Sequence, residues 1–241
     1  MLKKLIWLNL DDLKMYAGVN LAVFLILQVI HVFVMLVLFP CDAIMVSGIL
    51  MLVFSAVTLC SGAVAHVNLT YMQALEFGQT RKQALRRTLA LIAFETLFTL
   101  AVVAILAWVE RHVSPHFWMA LAGADGYAIA VSGYPVVRWG DMHGVELWID
   151  GFAQLDWWVY PLVLVGASLL GVVGGAVVQR FGSKGGWTLW ALWMFFCCGG
   201  IRMLPWEKYT IVDWLFPLLA VAFGVGLVWS LWSLRRATVK N

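Results

Sequence analysis

Long apolar stretches alternate with short polar segments along most of this chain, and this pattern predicts helices that cross a membrane. Each apolar stretch is long enough, or nearly so, to cross a hydrocarbon core of about 30 Å. We therefore predict an all-α integral membrane protein, a single domain over 1–241 with six transmembrane helices at about 17–39, 43–66, 88–109, 158–178, 187–204 and 211–234. Residues 1–16 alternate leucines with lysines and aspartates, which predicts an amphipathic helix on the inner membrane surface.

The composition excludes a soluble globular protein. Hydrophobic residues make up 63% of the chain and charged residues 12%, with a mean hydropathy of +0.90. The hydrophobic fraction is well above that of soluble domains, and the charged fraction is about half of theirs. The net charge of +3 is small and dispersed, so we predict no nucleic-acid partner.

The distribution of lysine and arginine predicts the orientation of the spans. Twelve basic residues fall on one side of the six-span arrangement and four on the other. Because basic residues beside a span are retained in the cytoplasm, both termini are expected there. Segment 67–87 is then cytoplasmic, and interval 110–157, with six acids and two arginines, is extracellular. A loop of this length without clear periodicity is usually functional or mobile.

The segment Glu76 to Arg87 carries the main concentration of positive charge. As a short helix it would place Arg81, Lys82 and Arg86 on one side, and Ala84 and Leu85 nearer the other. One interpretation is that these charges only fix the topology. The other is that the segment is a docking surface for a partner, with Gly78 at a turn or a close approach.

Polar residues inside the predicted spans are the next candidates, because a charge at the centre of a membrane helix costs about 2.5–3.5 kcal/mol. Glu95 lies inside the third span and is expected to face other helices, either protonated or with a partner. Asn20, Gln28 and His31 form one polar stripe on the first span. These residues either line a translocation route or subunit interface, or form hydrogen bonds between helices.

The fourth span has small residues at four-residue intervals, namely Ala167, Gly171 and Gly175. Such a row lets another helix approach closely, and its ordinary meaning is packing within one chain.

Motifs for catalysis and for metal binding are missing from the sequence. There is no nucleophile elbow, zinc-protease motif or phosphate-binding loop, so we predict no enzyme activity and no cofactor in this chain. His112 and His116 are four residues apart, but Pro115 lies between them and no third ligand is evident, so we predict no metal site.

Together these features resemble the permease subunits of bacterial ABC exporters of the type II class. Residues 74–84 read Ala-Leu-Glu-Phe-Gly-Gln-Thr-Arg-Lys-Gln-Ala, and Gly78, Thr80, Arg81 and Lys82 are similar to a Gly-x-Thr/Ser-Arg-Lys/Arg signature of small permeases in that class. The long outer interval departs from the family, whose better-known members have their larger external element between the fifth and sixth spans.

The resemblance implies a function and a set of partners. It implies a multi-pass protein of the bacterial cytoplasmic membrane that exports an amphipathic substrate such as a peptide, antibiotic or lipid. It also implies a separate ATPase subunit, a second permease copy, and a coupling helix that contacts the ATPase through Glu76, Phe77, Gly78, Thr80, Arg81 and Lys82. The alternative is a membrane scaffold or sensor whose 110–157 interval binds an extracellular ligand.

Overall fold

A computed structural model describes residues 9–37, 47–114, 117, 127–131, 137–139, 146–149, 156–195 and 209–236. Within these ranges the helices, in chain order, are α1 (Leu10–Val37), α2 (Ser47–Ala65), α3 (Tyr71–Glu76), α4 (Arg81–His112), α5 (Val159–Phe181), α6 (Ser183–Phe195) and α7 (Tyr209–Arg236). One π-helical turn, His66–Thr70, joins α2 to α3 without ending the helix. Three short strands are β1 (Tyr127–Val131), β2 (Val137–Trp139) and β3 (Glu146–Ile149).

Four helical segments in the described ranges are long and apolar enough to cross a membrane. They are Leu10–Ile30, Gly48–Glu76, Arg81–Glu110 and Val159–Phe181. They fall on the first four predicted spans, so the protein is membrane-embedded. The predicted sixth span lies within α7, whereas only 187–195 of the predicted fifth span lies within α6. Residues 196–204 are outside the described part of the chain.

In two places the helices extend beyond the bounds of the predicted spans. A separate surface helix over 1–16 is not present in residues 10–16, because α1 continues from Leu10 into the first span, and residues 1–8 are not described. The predicted cytoplasmic segment 67–87 is also mostly a continuation of the neighbouring helices. Only 77–80 is non-helical, since residues 67–76 contain no glycine or proline to end the second helix earlier.

The interval 110–157, which we predicted to be extracellular, contains a small sheet that the sequence pattern did not predict. Its strand order is β2-β1-β3, with β1 antiparallel to β2 and parallel to β3. In the first pair Ala128 lies opposite Arg138, and in the second Ala128 lies opposite Glu146. The strands have three to five residues, too few for a clear period-two pattern.

The chain divides into two compact units. Unit 1 comprises Met1–Thr58 and Glu95–Val165, and unit 2 comprises Leu59–Phe94 and Gly166–Asn241. Unit 2 has a continuous apolar core formed by Ala63, Val67, Tyr71, Ala74, Ala84, Leu85, Ile92, Val172, Ala176 and Leu234.

Glycines of α5 allow close helix packing inside unit 2. A Cβ added at Gly171 would overlap the Cys60 carbonyl oxygen, and one at Gly175 would lie 2.6 Å from the Cβ of Val67. Ala167, one turn earlier on α5, is also buried. The small-residue row therefore brings α5 against the second helix within a single chain, the close approach that its spacing predicts.

Candidate functional site: a basic helical turn and a buried polar cluster

The turn between α3 and α4 is a compact Schellman motif. Gly78 has a φ of +77°, which a residue without a Cβ adopts at low cost. Its N–H donates to the Leu75 carbonyl at 3.0 Å, and the Gln79 N–H donates to the Ala74 carbonyl at 3.0 Å. These two bonds satisfy carbonyls that the helix end would otherwise leave unpaired. The glycine predicted to mark a turn thus terminates α3.

Thr80 begins the next helix directly after this turn. Its hydroxyl accepts a hydrogen bond of 3.4 Å from the Gln83 N–H, and its carbonyl accepts one of 2.9 Å from the Ala84 N–H. A threonine in this position satisfies one of the free N–H groups at a helix start. The reversal of the chain is therefore fixed on both sides, by Gly78 for α3 and by Thr80 for α4.

The residues around this turn form an exposed surface, which we call the docking turn (Glu76–Lys82). Phe77 is 85% exposed, and Glu76, Arg81 and Lys82 are exposed around it. On the opposite side of the first turn of α4, Ala84 and Leu85 are buried in the core of unit 2. The predicted division into a basic face and an apolar face is thus present. Its basic residues lie on the long helix α4, however, and not on a separate short helix.

Other helix ends of unit 2 lie at the same end of the unit as the docking turn. The Tyr71 hydroxyl donates a 2.5 Å hydrogen bond to the carbonyl of Leu234, near the end of α7. The Gln179 amide donates to the Met72 sulfur at 2.9 Å, near the end of α5. Three exposed arginines come directly after Gln179 and Leu234 in the chain, namely Arg180, Arg235 and Arg236. The fold therefore collects basic residues from α4, α5 and α7 at one end.

A second group of candidate residues is buried in unit 1. Glu95 is 1% exposed, and its Oε2 accepts a 3.2 Å hydrogen bond from the hydroxyl of Tyr16, which is also buried. One turn further along α1, Asn20 accepts a 2.6 Å hydrogen bond from Ser55 on α2 and donates one of 2.8 Å to the Tyr16 carbonyl. Helix α1 is thus connected to α2 through Asn20, a member of the predicted stripe, and to α4 through Tyr16, which is not.

Of the other two predicted members of the stripe, the structure describes the side chain of Gln28 only. Gln28 is half-buried, and its Nε2 has no hydrogen-bond partner among the described residues. His31 lies in α1, but its side chain is outside the described part of the structure.

Two residues that the sequence analysis did not select as candidates, Glu110 and Tyr160, lie beside the first turn of α2. Glu110 is 5% exposed, and its Oε2 accepts a 3.0 Å hydrogen bond from the N–H of Gly48. A carboxylate at a helix start pairs with a free N–H and with the positive end of the helix dipole. Tyr160 lies at the same place, since a Cβ on Gly48 would lie 3.0 Å from its hydroxyl oxygen. The available signal was an acid directly after the predicted third span, at the first position of the 110–157 interval.

Comparisons with protein-family models, with curated proteins and with solved structures found no match to this chain. Its function must therefore be argued from the residues themselves.

Proposed function

We propose that this chain is the membrane-spanning subunit of an ATP-driven exporter in the bacterial cytoplasmic membrane. A separate soluble ATPase subunit would contact the docking turn, and a second permease copy would complete the transporter. The substrate class we propose is amphipathic, such as a peptide, an antibiotic or a lipid-like molecule.

The observation that carries this proposal is the construction of the docking turn. A surface that transmits motion from a partner must be rigid, and Gly78 and Thr80 fix this reversal from both sides. It must also present side chains that a partner can hold. Phe77 supplies a large exposed apolar group, and Arg81 supplies a planar cation suited to carboxylates or carbonyls. A turn needed only for topology requires neither the exposed phenylalanine nor the double cap.

The helices on either side of this turn suit a mechanical role. Helix α4 has 32 residues, which corresponds to about 48 Å at 1.5 Å per residue. The hydrocarbon core is only about 30 Å thick, so an untilted α4 extends beyond it by several turns. Its basic first turn is the natural part to project into the cytoplasm. Force applied to Arg81 or Lys82 would then act directly on a membrane-crossing helix.

The buried polar cluster has a supporting role in this proposal. The hydrogen bonds of Glu95 with Tyr16, and of Asn20 with Ser55, join three helices of unit 1. We therefore assign Glu95 and Asn20 to helix association, and we leave the substrate path unassigned.

Affinity purification of the tagged chain from its native membranes tests the proposal. We expect a soluble ATPase with a complete phosphate-binding loop to co-purify in stoichiometric amount, because this chain has no such loop. A stable, monodisperse protein that carries no ATPase in several detergents would contradict the exporter function.

The alternative function as a sensor or scaffold is favoured by one observation, the sheet formed by the three strands β1, β2 and β3. An ordered element in the outer interval is a reasonable platform for an extracellular ligand. Replacing 127–149 with a short Gly/Ser linker separates the two functions. An exporter retains ATPase co-purification after this replacement, whereas a sensor has no ATPase to retain.

A further inference from the structure

The face of α6 directed away from α5, which we call its outer face, carries an open apolar groove, and two exposed cations, Arg180 and Lys184, lie close to the groove residues in the chain. Ser183, Gly186, Trp187 and Trp190 line an open groove of about 560 Å³. Both tryptophans are exposed, at 68% and 53%, and their rings meet edge to face with centroids 5.6 Å apart. Aromatic side chains of this kind are typical of the interface between lipid head groups and acyl chains.

This groove faces away from the helix against which α6 packs. A Cβ on Gly185 would lie 2.8 Å from the carbonyl oxygen of Val177, and a Cβ on Gly174 would lie 3.5 Å from Leu189. Positions 185 and 189 therefore lie against α5. Positions 183, 186, 187 and 190 share another face, since residues three or four apart lie together on a helix.

One of the two cations, Arg180, lies over two aromatic rings. The Arg180 guanidinium lies 5.3 Å from the ring centroid of Trp229 and 5.8 Å from that of Phe181. Lys184 is exposed in the first turn of α6. Among the described residues, neither side chain has an acidic partner within ion-pair distance. Both charges thus remain able to pair with an anion.

The charge balance of unit 2 favours an anionic occupant. Its described residues include eight arginines and lysines but only two acids, Glu76 and Asp213. Arg236 is a second cation stacked on an aromatic ring, 4.0 Å from the centroid of Trp232. A ligand that satisfies both the groove and the cations has an apolar chain and a negatively charged head, and an anionic phospholipid has both.

We propose that the outer face of α6 is a binding site for an anionic phospholipid of the membrane leaflet on the basic side. The phosphate pairs with Arg180 and Lys184, and one acyl chain lies along Trp187 and Trp190. This assignment is independent of any ATPase, so it stands or falls separately from the exporter function.

Quenching of tryptophan fluorescence by brominated phospholipids tests the site. The purified full-length chain is reconstituted into vesicles of brominated phosphatidylglycerol diluted in phosphatidylcholine, and into matched vesicles in which phosphatidylcholine carries the bromine. We expect quenching to be at least about twofold more effective with the brominated anionic lipid. Trp187→Phe with Trp190→Phe should remove most of this difference, which assigns it to α6 among the fourteen tryptophans.

Charge variants separate a specific site from general attraction. Arg180→Gln with Lys184→Gln should abolish the preference, while Arg180→Lys with Lys184→Arg, which retains both charges, should keep it. Arg86→Gln with Arg87→Gln removes the same charge from an exposed part of α4 and should leave the preference unchanged. Equal loss in the two Gln pairs, or no preference in the parent chain, overturns the proposal. Absence of quenching at Trp187 and Trp190, together with dimer cross-links through position 187, would show instead that a second copy covers this face.

Discussion

The Tyr16 hydroxyl donates a hydrogen bond of 3.2 Å to Glu95 Oε2, joining α1 to α4 across 79 positions of sequence. Both side chains are 1% exposed. Glu95, which lies inside the third predicted span, therefore has a partner on α1. That partner, Tyr16, belongs to the segment 1–16, which we had predicted to lie on the membrane surface.

The pair predicts different effects for two substitutions of Glu95. Glu95→Gln retains the shape and an acceptor oxygen, so we expect a small change in stability. Glu95→Leu leaves the buried Tyr16 hydroxyl without this acceptor, at a cost of about 1–3 kcal/mol. Thermal unfolding in detergent, followed by tryptophan fluorescence, measures the difference. In a Tyr16→Phe background the cost of Glu95→Leu should decrease, and an unchanged cost would show that the hydrogen bond does not matter.

Glu110 is expected to stabilise the start of α2. Glu110→Ala removes the acceptor from the Gly48 N–H and should destabilise the protein by about 1–3 kcal/mol. Glu110→Gln keeps an acceptor and loses only the charge–dipole attraction, about 0.3–1 kcal/mol. In the same unfolding assay the parent should have the highest unfolding temperature, the Gln variant a lower one and the Ala variant the lowest. If the Gln and Ala variants unfold at the same temperature, the amide does not replace the carboxylate.

The close packing of α5 can be tested within one helix. We expect Gly171→Ala and Gly175→Ala each to cost about 1–3 kcal/mol, because the added methyl group overlaps Cys60 or Val67. Gly166→Ala is the matched control, since no atom lies within 4 Å of the added Cβ. It should be neutral or slightly stabilising, as alanine favours helices. Equal effects at the three positions would refute the packing assignment.

Gly78 allows the shape of the docking turn to be separated from its chemistry. Gly78→Val places a β-branched residue at a φ of +77° and should cost at least about 1–2 kcal/mol locally, although the surrounding space is open. Gly78→Asn is the control, because asparagine tolerates this conformation. We expect normal membrane insertion for both variants and reduced ATPase co-purification for Val alone. Equal co-purification would show that the turn geometry is not part of a docking surface.

Arg81→Glu tests the charge of the same surface. The residue is exposed, so folding and insertion should be unaffected, with Lys82, Arg86 and Arg87 left to hold topology. We expect loss of ATPase binding or of substrate-stimulated ATP hydrolysis, and Arg81→Lys should restore this only in part. If both variants bind and stimulate like the parent, the basic segment serves only topology.

The sequence determined those features that depend on local composition and periodicity. Apolar runs near 20 residues identified the four helices that are long and apolar enough to cross a membrane, because the hydrocarbon core imposes that length, and the fifth and sixth spans remain predictions. Gly78 predicted the turn, and the spacing of Arg81, Ala84 and Leu85 predicted the exposed and buried faces of the following helix, since both follow from helix geometry. Orientation across the membrane remains a prediction from the distribution of lysine and arginine.

Tertiary structure alone decided which distant residues meet and where the helices end. Nothing in the sequence around Glu95 specifies Tyr16 as its partner, and Glu110 gained its role only because the start of α2 lies beside it. We had ended the second span at residue 66, whereas the helix continues past that position. In the folded chain Asn68 donates to the Val64 carbonyl at 2.8 Å, and the helix runs on to the turn at Gly78. A polar side chain that hydrogen-bonds to its own helix does not end that helix, and the residues around it pack against α5 through Val67 and against α7 through Tyr71.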